Sequence, residues 1–382
     1  MPIAGIHSSR KASLARQAGT VAKVTRRRRN VGIPVYLRNH WMMQQLRKDN
    51  HYVPKLYLKQ WATGGMIPTY RLLVPSENVP LWRTQSLKGI AYHQHLYIYL
   101  AGHEETDEFE RWLDSEFEGP AEEPIRRAVL GERLLPEHWK RLERFAMALD
   151  VRTPASLRSF LKRQKETLQE LMDVTMERSI SALEDLVRRN EPLPTRSDAP
   201  ANAGLFKVRV ERLPDGSGQV RAETIIGRRL WLDQMRCTLT ETIHKLPALK
   251  WTILHSPPDM AWPTTDNPLV KLNFEDRHNY DFGGGWGVKN GDILLPLSPK
   301  HLLYTCIGRR SWPRGTIVDV DTAQLIQKII IEHADRYIFA KEPFDVEWTR
   351  KRLVCPLTFK SEIEAWQNWH SDQVQAEQEL QL

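Results

Sequence analysis

Disulfides, apolar spans and secretory signals are what this chain conspicuously lacks. It has three cysteines, Cys237, Cys306 and Cys355, scattered along the sequence. An odd, dispersed set forms neither a disulfide framework nor a closely spaced thiolate pair for a metal, and it suits a reducing compartment. No run of about 18 apolar residues occurs, which argues against a membrane-spanning helix. The first segment has no apolar stretch leading to a small-residue cleavage site. Together these absences predict a cytoplasmic protein without a membrane partner. Signatures of chemistry are missing too: there is no serine-hydrolase elbow, zinc-protease helix, P-loop or dinucleotide fingerprint. No reaction can therefore be read from a motif alone.

Acidic residues are nearly absent from the beginning of the chain. Residues 1–50 hold eleven Lys or Arg against Asp49 alone, whereas the whole chain is only +8. The excess positive charge thus sits in this leader, and the rest is slightly acidic. Arg26, Arg27, Arg28 and Arg29 would neutralise phosphates and give salt-dependent, sequence-blind affinity for RNA or DNA. The same run also reads as a solvated tail. Met42 and Met43 stand shortly before His51 and offer alternative starts, which would make residues 1–41 foreign to the native protein.

With 41% hydrophobic residues, the remainder can bury a sizeable core. Residues 66–74 alternate as a strand after the turn signal Gly64-Gly65, and Leu96 to Tyr99 predicts another. From Glu104 the period becomes helical, with Thr106 placed as an N-cap and Pro120 and Pro124 expected to break or re-aim the helix. Pro136 opens the next helix. Pro154, preceded by Thr153 as its cap, opens the longest one, to about residue 190. Residues 191–203 read as a linker. A hairpin follows, with strands 206–213 and 219–226, then a helix at 228–245, short strands, and a helix at 320–335. Early helices followed by strands predict an α+β fold with a mixed or antiparallel sheet. The expected organisation is a basic leader at 1–49, one α+β domain at 50–345 with a helical subdomain at about 104–190, and a charged peripheral tail at 346–382.

Several blocks stand in a fixed order: His51-Tyr52-Val53-Pro54 running into Tyr57-Leu58, Ile90-Ala91 through Leu96-Tyr97, and an acidic helix with Glu108 and Glu116. Arg152-Thr153-Pro154, Thr265-Asp266-Asn267-Pro268 and Leu295-Pro296-Leu297-Ser298-Pro299 follow. In this order they resemble a widespread bacterial family catalogued as domain of unknown function 4238, over about residues 50–340. Trp61 replaces the phenylalanine common in that family, and the basic leader has no counterpart in its pattern. The resemblance implies a bacterial or mobile-element protein and carries no enzyme class.

The residues themselves suggest where chemistry would lie. His51 titrates near neutrality and would serve as acid, base or phosphate contact, or it caps the helix after Pro54. Tyr52 and Tyr57 would hydrogen-bond a phosphate or stack on a base, or simply pack. Arg152 would clamp an anion bidentately, or bridge to Glu108 or Glu116. Asp266, flanked by Thr265 and Asn267, would be a carboxylate partner or a ligand to a divalent metal, although Asp-Asn-Pro is also plain turn chemistry. His93 and His95 would share a strand face but lack a third ligand. Residues 281–287 read as a lid or a long hairpin turn, and Asp266 with Lys271 as part of a metal-nuclease site. The leading expectation is an enzyme or effector acting on a phosphate-bearing ligand, nucleic acid foremost, in a nuclease-like hydrolysis at His51, Arg152 and Asp266. The alternatives are a module for a protein partner and nucleic-acid binding by the leader alone. The oligomeric state is not legible.

Overall fold

The computed structural model describes residues 4–12, 46–102, 104–192, 205–212 and 218–380. Arg26 to Arg29 and residues 193–203 of the expected linker lie outside this set. The chain divides into two compact units. The larger holds residues 48–167 and 225–382, and the smaller holds residues 5–47 and 168–224.

The larger unit is α+β, with two main antiparallel sheets. The first orders its strands Thr252–His255, His301–Cys306, Gly291–Ser298, Val270–Phe274 and Tyr280–Asp281. Gly291–Ser298 is buried at every position, which explains its unbroken apolar run: a central strand covered on both faces has no polar side. Helix Val320–His333 lays Ala323, Ile326, Ile329 and Ile330 against Leu254, Val270, Leu272, Leu294 and Leu302 to make the main core. The second sheet orders Thr264–Thr265, Tyr337–Phe339, Met66–Arg71 and Trp82–Ser86. Its entry turn has Gly64 and Gly65 at φ +59° and +76°, a pair that side-chain-bearing residues rarely adopt.

In the helical layer, of the two expected outcomes at the prolines, it is re-aiming without a break that occurs. Helix Glu108–Leu113 runs through a π turn at Asp114–Glu118 directly into helix Gly119–Val129, with Pro124 inside it. Pro120 falls in the first turn, where its missing N–H is unneeded, and the wide turn ahead takes up the re-aiming that the prolines demand. Thr106 assists the start by accepting the Glu108 N–H at 3.2 Å. Helix Pro136–Val151 follows. Helix Pro154–Arg188 begins with Thr153 Oγ1 accepting the Ser156 N–H at 3.2 Å.

The charged tail, expected to be helical and peripheral, forms helix Pro356–Leu380 but is not wholly peripheral. It buries Trp369, Gln373 and Glu377, and Glu377 pairs with the buried Arg228 at 2.9 Å. Its charge pattern suggested solvation, but two of its polar groups are satisfied inside. The smaller unit contains the distal turns of the long helix, where Met172 and Met176 are buried. Its sheet has strand order Ala4–Ala12, Gly218–Ile226, Lys207–Arg212, and Gly218 lies opposite Arg212 in the expected hairpin.

Candidate functional site

Three of the sequence blocks meet in space, and of the residues expected to carry chemistry Tyr52 and Asp266 line a common cavity while His51 and Arg152 do not. Arg152 is 0% exposed. Its guanidinium donates to Glu118 Oε1 at 2.6 Å and to the His51 carbonyl at 2.7 Å, and Glu110 lies 3.9 Å away. Burial opposes its charge, yet Glu118, Tyr97 and Glu110 outweigh that and raise its pKa. Arg152 is therefore a structural bridge, to Glu118 and Glu110 rather than to Glu108 or Glu116. It presents no open fork to an anion.

His51 contributes its backbone to this bridge. Its ring lies 5.5 Å from that of Tyr92. Burial, then the Lys55 charge, lowers its pKa, and its Nε2 is buried without a partner. Tyr57 is fully buried, its hydroxyl 2.7 Å from Thr264 Oγ1 and its ring against Trp61 and Phe145, so it packs. Thr265 Oγ1 accepts the Asn267 N–H at 3.1 Å. Asn267 Oδ1 accepts from Thr153 at 3.2 Å, and its carbonyl lies 3.0 Å from His333 Nδ1. These two residues build the turn that carries Asp266.

Asp266 and Tyr52 do share a site. Both line an open cavity of about 380 Å³ with Arg71, His93, Arg158 and Asp335, and His51 is not among its lining residues. The Asp266 carboxylate accepts the backbone N–H groups of Asp335 at 2.9 Å and Arg336 at 2.8 Å. Burial, then the Asp335 charge, overrides those two bonds and pushes its pKa up to about 7. Burial and the neighbouring Asp335 charge thus favour the protonated form of this carboxyl, the direction that suits a general acid. Asp335 itself is paired with Arg158 and, at 3.2 Å, with Arg336.

The opposite wall is aromatic. His93 stacks on Trp366 at 3.7 Å and on Tyr52 at 5.4 Å between ring centroids. Burial, then Arg158, holds its pKa down at about 3, so it is a neutral plate. Tyr52 is 2% exposed, and burial followed by Asp266 raises its hydroxyl pKa well above the ordinary value. Ala91 accepts the Tyr52 N–H at 3.0 Å while held at φ +51°, a strained value for a residue with a side chain. Arg71, from strand Met66–Arg71, adds a guanidinium whose Nε is buried without a partner among the described residues.

Other expected constellations come apart. His95 leaves the strand at φ +56°, so the two histidines diverge. His93 joins the stack, and His95 meets Glu105 and His370 in a three-donor group within 4.8 Å. His370 is already engaged on both ring nitrogens, with Arg228 at 2.9 Å and Glu105 at 2.7 Å. An Arg donor on one nitrogen disfavours a metal on the other, which normally needs a proton on the first. Lys271 pairs with Asp150 at 2.7 Å, away from Asp266. The glycine-rich loop is architecture as well: Trp286 donates to Asp150 at 2.8 Å, and a Cβ on Gly284 would lie 2.6 Å from the Leu272 backbone.

The fold and this pocket define an α+β protein whose buried carboxylate sits among cations and stacked rings. Residues 49–343 match the family described as "Protein of unknown function (DUF4238)", and the chain belongs to that family. No curated protein and no solved structure matches it. Among the described residues, no helix is long and apolar enough to cross a membrane.

Proposed function

We propose that the protein is an enzyme acting on a phosphate-bearing ligand, bound in the pocket of Tyr52, Arg71 and Asp266. The observation that carries this reading is the cavity that brings together the buried Asp266 carboxyl and Arg71, an arginine without an ion pair among the described residues. Arg71 takes the anion, with its planar fork suited to phosphate oxygens. Asp266 moves the proton, and the Tyr52–His93–Trp366 stack supplies a flat apolar wall for the rest of the ligand. The reaction class this set serves is hydrolysis or transfer at a phosphate ester. A buried carboxylate also offers a divalent ion one oxygen ligand, with Asp335 already committed to arginines. Nucleic acid is the ligand source that joins this reading to the basic leader.

The test is binding of inorganic phosphate and of a 5′-mononucleotide, followed by calorimetry, together with turnover of phosphomonoester and phosphodiester substrates. Arg71→Ala should abolish binding, and Asp266→Asn should abolish turnover while retaining binding. Binding by the parent should weaken as pH rises through neutrality and Asp266 gains its charge. Equal binding by the parent and Arg71→Ala, or none by the parent, would sink the proposal.

A further inference from the structure

A second, larger cavity shares no lining residue with the Asp266 pocket. It measures about 1280 Å³ and lies between helix Pro136–Val151, the approach to strand Thr252–His255, and the loop at 309–315. That exceeds the roughly 300–1,000 Å³ of ordinary small-molecule pockets, so it has room for a polymer segment.

Its chemistry is specific. Three tryptophans line it: Trp139 from the helix, Trp251 before the strand, and Trp312 on the loop. Trp312 is 40% exposed. Five lining cations, Arg133, Lys140, Lys250, Arg310 and Arg314, have no ion pair among the described residues. Arg309 is spoken for by Asp292 at 2.7 Å. Arg314 lies over the Trp139 ring, 4.6 Å from its centroid, which stiffens both groups in place. Of the two lining carboxylates, Glu132 is held by Arg126 at 2.9 Å, and burial raises the pKa of Glu143 toward the uncharged form. Trp139 Nε1 and Ser311 Oγ are buried here without partners among the described residues. The loop is held at its far end, where Thr252 Oγ1 donates to the Pro313 carbonyl at 3.3 Å and the Gly315 N–H donates to Ile253 at 3.0 Å. Trp312 and its flanking arginines are therefore displayed from a fixed base.

We infer that this cleft binds single-stranded nucleic acid, with a base stacking on the exposed ring of Trp312 and phosphates meeting the cations without ion pairs. Flat aromatic faces interleaved with cations suit a strand whose bases are free to stack. An acidic peptide would use the charges and leave the exposed indole of Trp312 without a role. The site is independent of the Asp266 pocket and of the basic leader.

The experiment uses the full chain with the nine Lys and Arg of residues 1–38 replaced by glutamine, so that the leader adds little sequence-blind affinity. A fluorescein-labelled oligothymidylate is titrated by anisotropy, with tryptophan quenching as a second signal and polyglutamate as competitor. Trp312 is exposed, so Trp312→Ala should fold, which a melting curve checks. It should weaken binding at least about fivefold, the lower end of the loss expected from removing one base–aromatic stack. Replacing Arg310 and Arg314 by alanine should flatten the dependence on salt by about 0.7 in log–log slope for each lost phosphate contact. Unchanged affinity of Trp312→Ala, no binding in the leader-neutralised chain, or displacement by polyglutamate as effective as by unlabelled oligothymidylate would each overturn the assignment, the last in favour of an acidic peptide.

Discussion

Replacing Arg152 separates an architectural arginine from an anion clamp. The side chain is fully buried, donates to Glu118 and to the His51 carbonyl, and receives the Tyr97 hydroxyl on its own carbonyl at 2.6 Å. Arg152→Met keeps much of the volume but strands Glu118, which is only 14% exposed. Breaking one side of a buried pair costs about 3–5 kcal/mol, a large share of a typical stability of roughly 5–15 kcal/mol. At about 2–4 °C per kcal/mol for domains of 150–250 residues, the melting temperature should fall by roughly 6–20 °C. Adding Glu118→Met should recover most of this loss, because a buried pair replaced by apolar groups is often neutral. Urea unfolding of the parent, both single variants and the double variant measures the coupling. Calorimetry with inorganic phosphate on the double variant should show binding like the parent's. A single variant as stable as the parent that no longer binds phosphate would refute the structural assignment and restore Arg152 to the site.

Asp266 gives a pH prediction whose sign follows from its raised pKa. The native state keeps a proton that the unfolded chain releases near 3.9, so this contribution is complete below that pH and is lost as pH rises through about 7. The stability of Asp266→Asn relative to the parent should therefore improve steadily across that window in urea melts; a constant difference would contradict the shift. Gly284→Ala forces a Cβ to within 2.6 Å of the Leu272 backbone. It should cost about 1–3 kcal/mol or more by thermal melting, and an unchanged melting temperature would show that the loop does not bear on that strand.

Local rules carried much of the fold and little of the site. The long helix, its Thr153 cap, the Gly64-Gly65 turn and the hairpin were legible because each depends on neighbours within a few residues. The continuous helix through Pro120 and Pro124 was not, since a π turn just before the prolines leaves no distinct sequence mark. His51 drew attention as a titratable group, yet successive side chains in an extended segment face opposite ways. Tyr52 lines the pocket and His51 does not. Arg71, His93, Arg158 and Asp335 come from four separate parts of the chain, and only tertiary structure assembles them. Trp139, Trp251 and Trp312 were equally invisible as a set. The available signal was three tryptophans each within a few residues of lysine or arginine, which is too common a pattern to select them.

The ordered blocks nonetheless have a shared physical purpose. Arg152 holds the carbonyl of His51, the residue next to Tyr52. Thr153 donates to Asn267, the residue next to Asp266, and Pro154 lines the pocket itself. A single Arg-Thr-Pro turn thus fixes the two chain segments that deliver the tyrosine and the carboxylate, each through its neighbour. A displacement of that turn would move both pocket walls at once without touching either functional side chain. The blocks form a frame: polar residues buried and satisfied so that the groups beside them are held at the cavity wall.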